Sequence, residues 1–170
     1  MNTLSDNVKE YTSQLNKGHI QKAYKGIMNF MSELRVYLES QHPDYITSAL
    51  YFGYMDMSYF AFTPSILKDK KLKIAIVYLH EECKFELWLA ANNRKIQEEY
   101  VRILNNKNLG RFTLSQIQPG VDSILASTIL EQPDFDNLTE LKKQLEIRII
   151  EFVKDINSII TDINDWRMRI

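Results

Sequence analysis

The sequence predicts an α+β domain: an antiparallel meander of about four to five strands, flanked by N-terminal helices and a long C-terminal amphipathic helix. Three observations carry this expectation. Ile20, Ala23, Tyr24, Ile27, Phe30, Met31, Leu34, Tyr37 and Leu38 recur at steps of three and four, the spacing of one helix face. From Thr47 to Leu89 the pattern changes to aromatic and β-branched runs that suit a pleated surface. Leu141, Leu145, Ile149, Phe152, Ile156, Ile159, Ile163 and Trp166 then restore the helical spacing.

Taken in order, Ser5–Leu15 forms a short, weakly amphipathic helix, and Gly18 breaks it from the long helix over Ile20–Leu38. Residues 1–17 are thus expected as a loosely attached helix within one α+β domain spanning residues 1–170. Pro43 stops the long helix, because its ring and missing N–H cannot continue the ladder. Ser48–Tyr54 and Tyr59–Thr63 are expected strands, with Met55–Ser58 as the bend between them. Pro64 and the Lys68–Lys71 run make a loop, and Lys73–Leu79 and Phe85–Leu89 pair across the short His80–Lys84 connection. Asn92 or Asn93 caps a helix carrying Ile96, Tyr100, Ile103 and Leu104. Phe112–Ile117 is a candidate fifth strand, stopped by Pro119-Gly120. Val121–Glu131 fits a strand or a short helix, and a strand is the expectation. Asn137 or Thr139 caps the final helix, which over Leu138–Asp165 would be about 42 Å long. That length exceeds what one sheet needs for cover, so a homo-oligomer through the C-terminal helix is a candidate assembly.

Composition narrows the functional classes. The 170 residues carry 21 Lys and Arg against 22 Asp and Glu, a net charge of −1. No overall field draws such a chain to nucleic acid or to an anionic membrane. The single cysteine, Cys83, excludes an intrachain disulfide. Met1–Asn16 has no apolar h-region and no run approaches the ~20 residues of a membrane span, so a cytoplasmic protein is expected.

No phosphate-cradling glycine loop, nucleophile elbow, zinc-protease helix or C-x-x-C pair is present, and no cofactor or metal is called for. His80-Glu81-Glu82-Cys83 is the densest set of potential ligands, but adjacent residues on a tight connection splay apart, and a solvated turn accounts for them. Asp56 sits inside an aromatic stretch, where a carboxylate must be hydrogen-bonded, paired or exposed. It either holds backbone N–H groups at the bend or serves as polar anchor of an aromatic pocket. Strand alternation sets Tyr51 and Tyr59 on the face opposite Phe52 and Phe60, so one face packs on helices while the other offers hydroxyls to a groove. Asn93, Arg94 and Lys95 open a helix, whose N-terminus favours anions.

Several strings are similar to a bacterial family of cytoplasmic domains of unknown function. They are Tyr54-Met55-Asp56-Met57-Ser58-Tyr59-Phe60, Lys73-Ile74-Ala75-Ile76-Val77, Phe85-Glu86-Leu87-Trp88-Leu89-Ala90 and Asn93-Arg94-Lys95-Ile96-Gln97. Asp122-Ser123-Ile124 and Pro133-Asp134-Phe135 resemble its later segments. The resemblance implies one intact domain and no particular activity, and it gathers Asp56, Tyr59, Trp88, Asn93, Lys95 and Gln97 as positions that could share a site. Asp56 and Glu86 are also similar to the acidic pair of restriction-endonuclease-like nucleases. Those enzymes carry a lysine two positions after the second acid, where this chain has Trp88.

Three functions remain open on the sequence. The first is a non-catalytic binding or protein-interaction domain. The second is a small-molecule or enzymatic pocket with Asp56, Tyr51, Tyr59, Trp88, Asn93, Arg94, Lys95 and Gln97 around it. The third is a degenerate nuclease-like domain, disfavoured by charge and by the missing lysine.

Overall fold

Two long helices with matching apolar stripes and a sheet with one apolar face define the architecture. The computed structural model describes the backbone of residues 3–167 and the side chains of residues 3–163. The order is α1 (Leu4–Asn16), α2 (His19–Gln41), β1 (Tyr45–Thr47), β2 (Met57–Pro64), α3 (Ser65–Asp69), β3 (Leu72–Leu79), β4 (Lys84–Ala91), α4 (Arg94–Leu104), β5 (Thr113–Leu114), β6 (Ser123–Glu131) and α5 (Leu138–Arg167). The six strands form one antiparallel sheet in the order β1-β2-β3-β4-β6-β5, so the meander holds through β4 and the last two strands exchange places.

Register makes the sheet two-faced. Phe60 lies opposite Ile76 and Ile76 opposite Leu87, so the even positions of β2 and β3 share a face with the odd positions of β4. Phe60, Phe62, Ile74, Ile76, Leu87 and Leu89 on that face are completely buried. They form one core with Phe30, Met31, Leu34 and Leu38 of α2, Tyr100 and Leu104 of α4, and Leu141, Leu145, Ile149, Phe152, Ile156 and Ile163 of α5. Tyr59, Ala75, Val77, Glu86, Trp88 and Ala90 share the other face and stand outside that core.

The α5 stripe is thus absorbed within a single chain as far as Ile163, and Trp166 lies outside the described side chains. Ile147 is the exposed large hydrophobic residue of α5 among the described residues. In α2 the stripe is covered only from Met28 onward; Ile20 and Ala23 remain exposed, and Tyr24 and Ile27 are half-buried.

Local chemistry explains the helix ends and most departures from expectation. Asn93 caps α4 by accepting from the Ile96 N–H at 3.0 Å, and Asn137 accepts from the Glu140 N–H before α5 at 3.4 Å. The expected strand over Ser48–Tyr54 is instead an irregular ribbon. The edge strand lies earlier, at Tyr45–Thr47, and beyond it only Tyr51 and Tyr59 pair as an isolated bridge. Ser48 still donates to the Ala61 carbonyl, but Ala49 and Leu50 together face Phe60 alone, and this extra residue breaks the ladder. Gly53 and Met55, with φ of +73° and +64°, then turn the chain away. Phe52 is consequently 53% exposed rather than packed with Phe60. Two further differences are small: the expected loop after Pro64 contains the one-turn α3, and the expected strand over Phe112–Ile117 shrinks to Thr113–Leu114. Val121–Glu131 does form a strand, β6, with bulges beside Ile124 and Ile129.

Because Phe152 is fully buried between α5 and the sheet, Phe152→Ala is expected to lower unfolding free energy by about 3–5 kcal/mol in urea titration. The exposed Ile147→Ala change is expected to stay within about 0.5 kcal/mol. Equal losses at the two positions would contradict this placement of α5.

Candidate functional site

The helix-free face of the sheet is built in rows. Ala61, Ala75, Trp88 and Ala126 stand side by side across β2, β3, β4 and β6, with Thr113 of β5 next. Small neighbours leave the indole lying over a shallow floor. The adjacent row is Tyr59, Val77, Glu86 and Thr128. Glu86 is the polar centre of this face: it accepts from the Trp88 indole N–H at 2.8 Å, the Lys84 ammonium at 2.9 Å and the Thr128 hydroxyl at 3.2 Å. Burial pushes the Glu86 carboxyl up, but these donors outweigh it and hold the group below the usual carboxylate range. Three donors of the protein itself therefore engage this carboxylate.

Tyr59 and Trp88 line one hollow with Met57, Lys73, Ala75, Ala90, Gly120, Asp122 and Ser123. Its volume is about 60 Å³, far below the ~300–1,000 Å³ of sites that enclose a small molecule. Tyr51 packs against Tyr59 in a tilted pair, 4.9 Å between ring centroids, extending the aromatic surface toward the sheet edge.

Asp56 does not line that hollow. Its carboxylate accepts from the Tyr54 N–H at 2.9 Å and from the Met57 N–H, and these bonds hold it below the usual carboxylate range. The turn it closes is tight: a Cβ on Gly53 would stand 1.9 Å from the Met57 carbonyl oxygen. Within this clamped turn the chain presents Tyr51, Phe52, Tyr54 and Met55 to solvent, with Tyr54 91% exposed.

Asn93, Arg94 and Gln97 do a different job. Arg94 donates to the carbonyls of Gln118 and Val121 and to the Gln97 side-chain oxygen. The fully buried Gln97 amide donates to the Val121 and Ser123 carbonyls, both at 2.8 Å. This network fastens α4 to the 118–123 loop, whose Gly120 and Asp122 border the Trp88 hollow. Lys95 is exposed. The structure therefore brings together Tyr51, Tyr59 and Trp88, keeps Asp56 beside them in a separate turn, and places Asn93, Arg94 and Gln97 in a scaffold behind the loop.

One constellation escaped sequence reasoning. The Ser58 hydroxyl lies 2.9 Å from His80 Nε2, and the carboxylate of Asp56 is close enough to act on the imidazole electrostatically. The combination resembles a nucleophile with its base, but the hydrogen bonds run the other way. Ser58 is fully buried and donates its one proton to the Phe52 carbonyl, so His80 Nε2 must be the donor to Ser58. The His80 backbone N–H also donates to the Asp56 carbonyl at 3.0 Å. The pair is a clasp that fixes the aromatic turn to the end of β3. A polar residue at an inward strand position, Ser58 in line with Phe60 and Phe62, was the available signal. Behind His80, the Tyr78 hydroxyl donates to Cys83 Sγ at 3.5 Å, and burial followed by that bond pushes the phenol pKa up. Among the described residues, no three His, Cys, Asp or Glu side chains gather to hold a metal ion.

Burial lowers the His80 pKa, and the Asp56 charge offsets part of that shift. A lowered imidazole favours folding while neutral; stability is therefore present above the unfolded value of 6.5 and falls as pH drops from there toward the folded pKa. Thermal unfolding between about pH 7 and pH 5 is expected to show a loss that is smaller in His80→Gln, which keeps a donor for Ser58. An identical pH slope in the two proteins would remove the clasp from the account.

Among the described residues, no helix is long and apolar enough to cross a membrane. No curated protein and no solved structure matches the chain. A family model described as a domain of unknown function, DUF7000, matches residues 4–160, from the first residue of α1 to well within α5. With that match covering nearly the whole sequence, the chain belongs to the DUF7000 family.

Proposed function

We propose that this chain is a non-catalytic protein-interaction domain, and that its contact surface is the aromatic edge Tyr51–Met55 together with the adjoining Tyr59–Trp88 face. The observation that carries this reading is the exposure of Tyr51, Phe52, Tyr54 and Met55 on a turn that is itself rigidly clasped. Exposed aromatic side chains on a fixed backbone give up little entropy on binding, and they are the residue types that dominate contact energies. A contiguous apolar patch of this kind marks an interaction surface.

The chemistry of the partner follows from the patch. Between Tyr45 and Tyr59 there is no Lys or Arg, and Asp56 is the lone acid. Such a surface suits an uncharged, apolar protein face rather than a phosphate backbone or a small anion. A small-molecule pocket on the same face has weaker support. The hollow beside Trp88 is too small, Asp56 is turned to backbone donors, and three internal donors already engage Glu86. The long α5 helix offers little support for an oligomer, since its stripe is buried in its own chain.

Photo-crosslinking in the cells that make the protein tests this reading. With p-benzoylphenylalanine at position 54, a discrete adduct to a second protein is expected, reduced about tenfold by Phe52→Ser. The same probe at position 147, exposed on α5, is expected to give none. No adduct from position 54, or equal adducts from both positions, would contradict the proposal.

A further inference from the structure

We propose that α1 is an exchange arm, whose apolar stripe seats in the groove between the first turns of α2 and the β3–β4 hairpin of a second copy of this chain. The proposal does not rest on the aromatic edge, although the two are neighbours: Tyr24 of α2 donates to the Phe52 carbonyl at 3.3 Å.

The arm has the marks of a helix waiting for a surface. Leu4, Val8, Tyr11 and Leu15 follow steps of four, three and four along α1, so they share one face. Leu4, Val8 and Tyr11 are 79%, 51% and 59% exposed, and no residue of α1 is buried. An isolated helix of fewer than about 12–15 residues is marginal in water, because helices in proteins draw most of their stability from packing an apolar face. Yet α1, at 13 residues, starts with a complete capping box: Thr3 accepts from the Asp6 N–H, and the Asp6 side chain accepts from the Thr3 N–H. Local sequence specifies this helix, and of its stripe only Leu15, beside the link to α2, is half-buried within its own chain.

The groove has the complementary marks. Ala23, Gly26 and Ile27 of α2 face Tyr78, Cys83, Phe135 and Leu138 across a cavity of about 290 Å³, and no α1 residue lines it. Gly26 is in mid-helix, where glycine costs roughly 1 kcal/mol against alanine. Crowding within the chain does not require it, since an added Cβ would meet nothing within 4 Å. A glycine beside an alanine does let a second helix approach α2 closely. The cavity is at the lower limit for a whole small molecule, and its apolar lining suits side chains such as Tyr11 and Val8 inserted as knobs. On its rim, Lys22 and, one turn on, Lys25 have no ion-pair partner among the described residues. Asp6 and Glu10 lie away from the stripe of α1, so these lysines stay at the solvated edge of an apolar contact.

A second copy, rather than the same one, is favoured by the link. Two residues, Lys17 and Gly18, join α1 to α2, and in their present conformation the stripe stands clear of its own groove. Reciprocal exchange fills both grooves without altering that link, and a twofold pair needs only this one contact made twice. The family match begins at Leu4, so the arm belongs to the shared domain.

Cysteine trapping and sedimentation test the exchange together. Cys83 lines the groove and is the chain's single cysteine. Leu4, Val8 and Leu15 are replaced by Cys in turn, and each full-length variant is oxidised with diamide. At least one is expected to give a covalent dimer whose peptide map joins the arm position to Cys83, lost on adding Cys83→Ser. In sedimentation the wild-type chain is expected to be mainly dimeric at about 100 μM. Val8→Asp, at an exposed position that leaves the fold intact, and Gly26→Leu, which fills the groove, should each raise the dissociation constant by at least about tenfold, whereas Ile147→Ser, exposed on α5, should not. A monomeric wild type, a dimer indifferent to Val8→Asp and Gly26→Leu, or an arm-to-Cys83 link found only within one chain would overturn the proposal. The last result would assign the groove to the chain's own arm.

Discussion

The period-two alternation of β2, β3 and β4 is the constraint on which the rest of this molecule depends. All the long helices that join the core do so on one side, so the inward positions are apolar apart from the hydrogen-bonded Ser58, while outward Tyr59, Glu86 and Trp88 stay half-exposed. A shift of one residue in any of these strands would carry Phe60, Ile76 or Leu87 into solvent. The sheet is consequently fixed in register, and the outward residues are fixed with it. Tyr59 and Trp88 face away from the helices because Phe60 and Leu87 cannot.

That sidedness also decides what the polar groups can do. Near the outward face and its edge, the carboxylates of Glu86 and Asp56, the Ser58–His80 pair and the Gln97 amide are each engaged by internal partners. Such groups hold geometry; they are not poised to transfer a proton or to ligate an ion. What they hold in place is largely apolar: the paired rings of Tyr51 and Tyr59, the Trp88 indole, and the turn that exposes Phe52 and Tyr54. The polar chemistry of this face therefore holds a surface of aromatic side chains in place, which is what the proposed contact requires.

Much of the fold was legible because long periodic segments leave little choice. The α2 and α5 stripes, the β3–β4 hairpin and the Asn93 cap follow directly from spacing and capping chemistry. Ser48–Tyr54 departs from the expected strand because its aromatic composition favours one, whereas a bulge and the left-handed Gly53 decide its path; neither leaves a period in the sequence. The site was legible in part. Alternation correctly separated Tyr59 from Phe60, but it could not show that Arg94 and Gln97 bind the 118–123 loop, or that Ser58 meets His80. Those contacts join residues 22 to 27 positions apart, and such distances are set by topology rather than by local pattern.

Hydroxyl-radical footprinting of the purified chain tests the two-faced sheet most directly, because it reads each aromatic residue separately. The account predicts rapid oxidation of Phe52 and Tyr54, slower oxidation of Tyr59 and Trp88, and protection of Phe60, Phe62 and Phe85 until the protein unfolds. Phe60 or Phe62 reacting as fast as Tyr54 in the folded protein would contradict it.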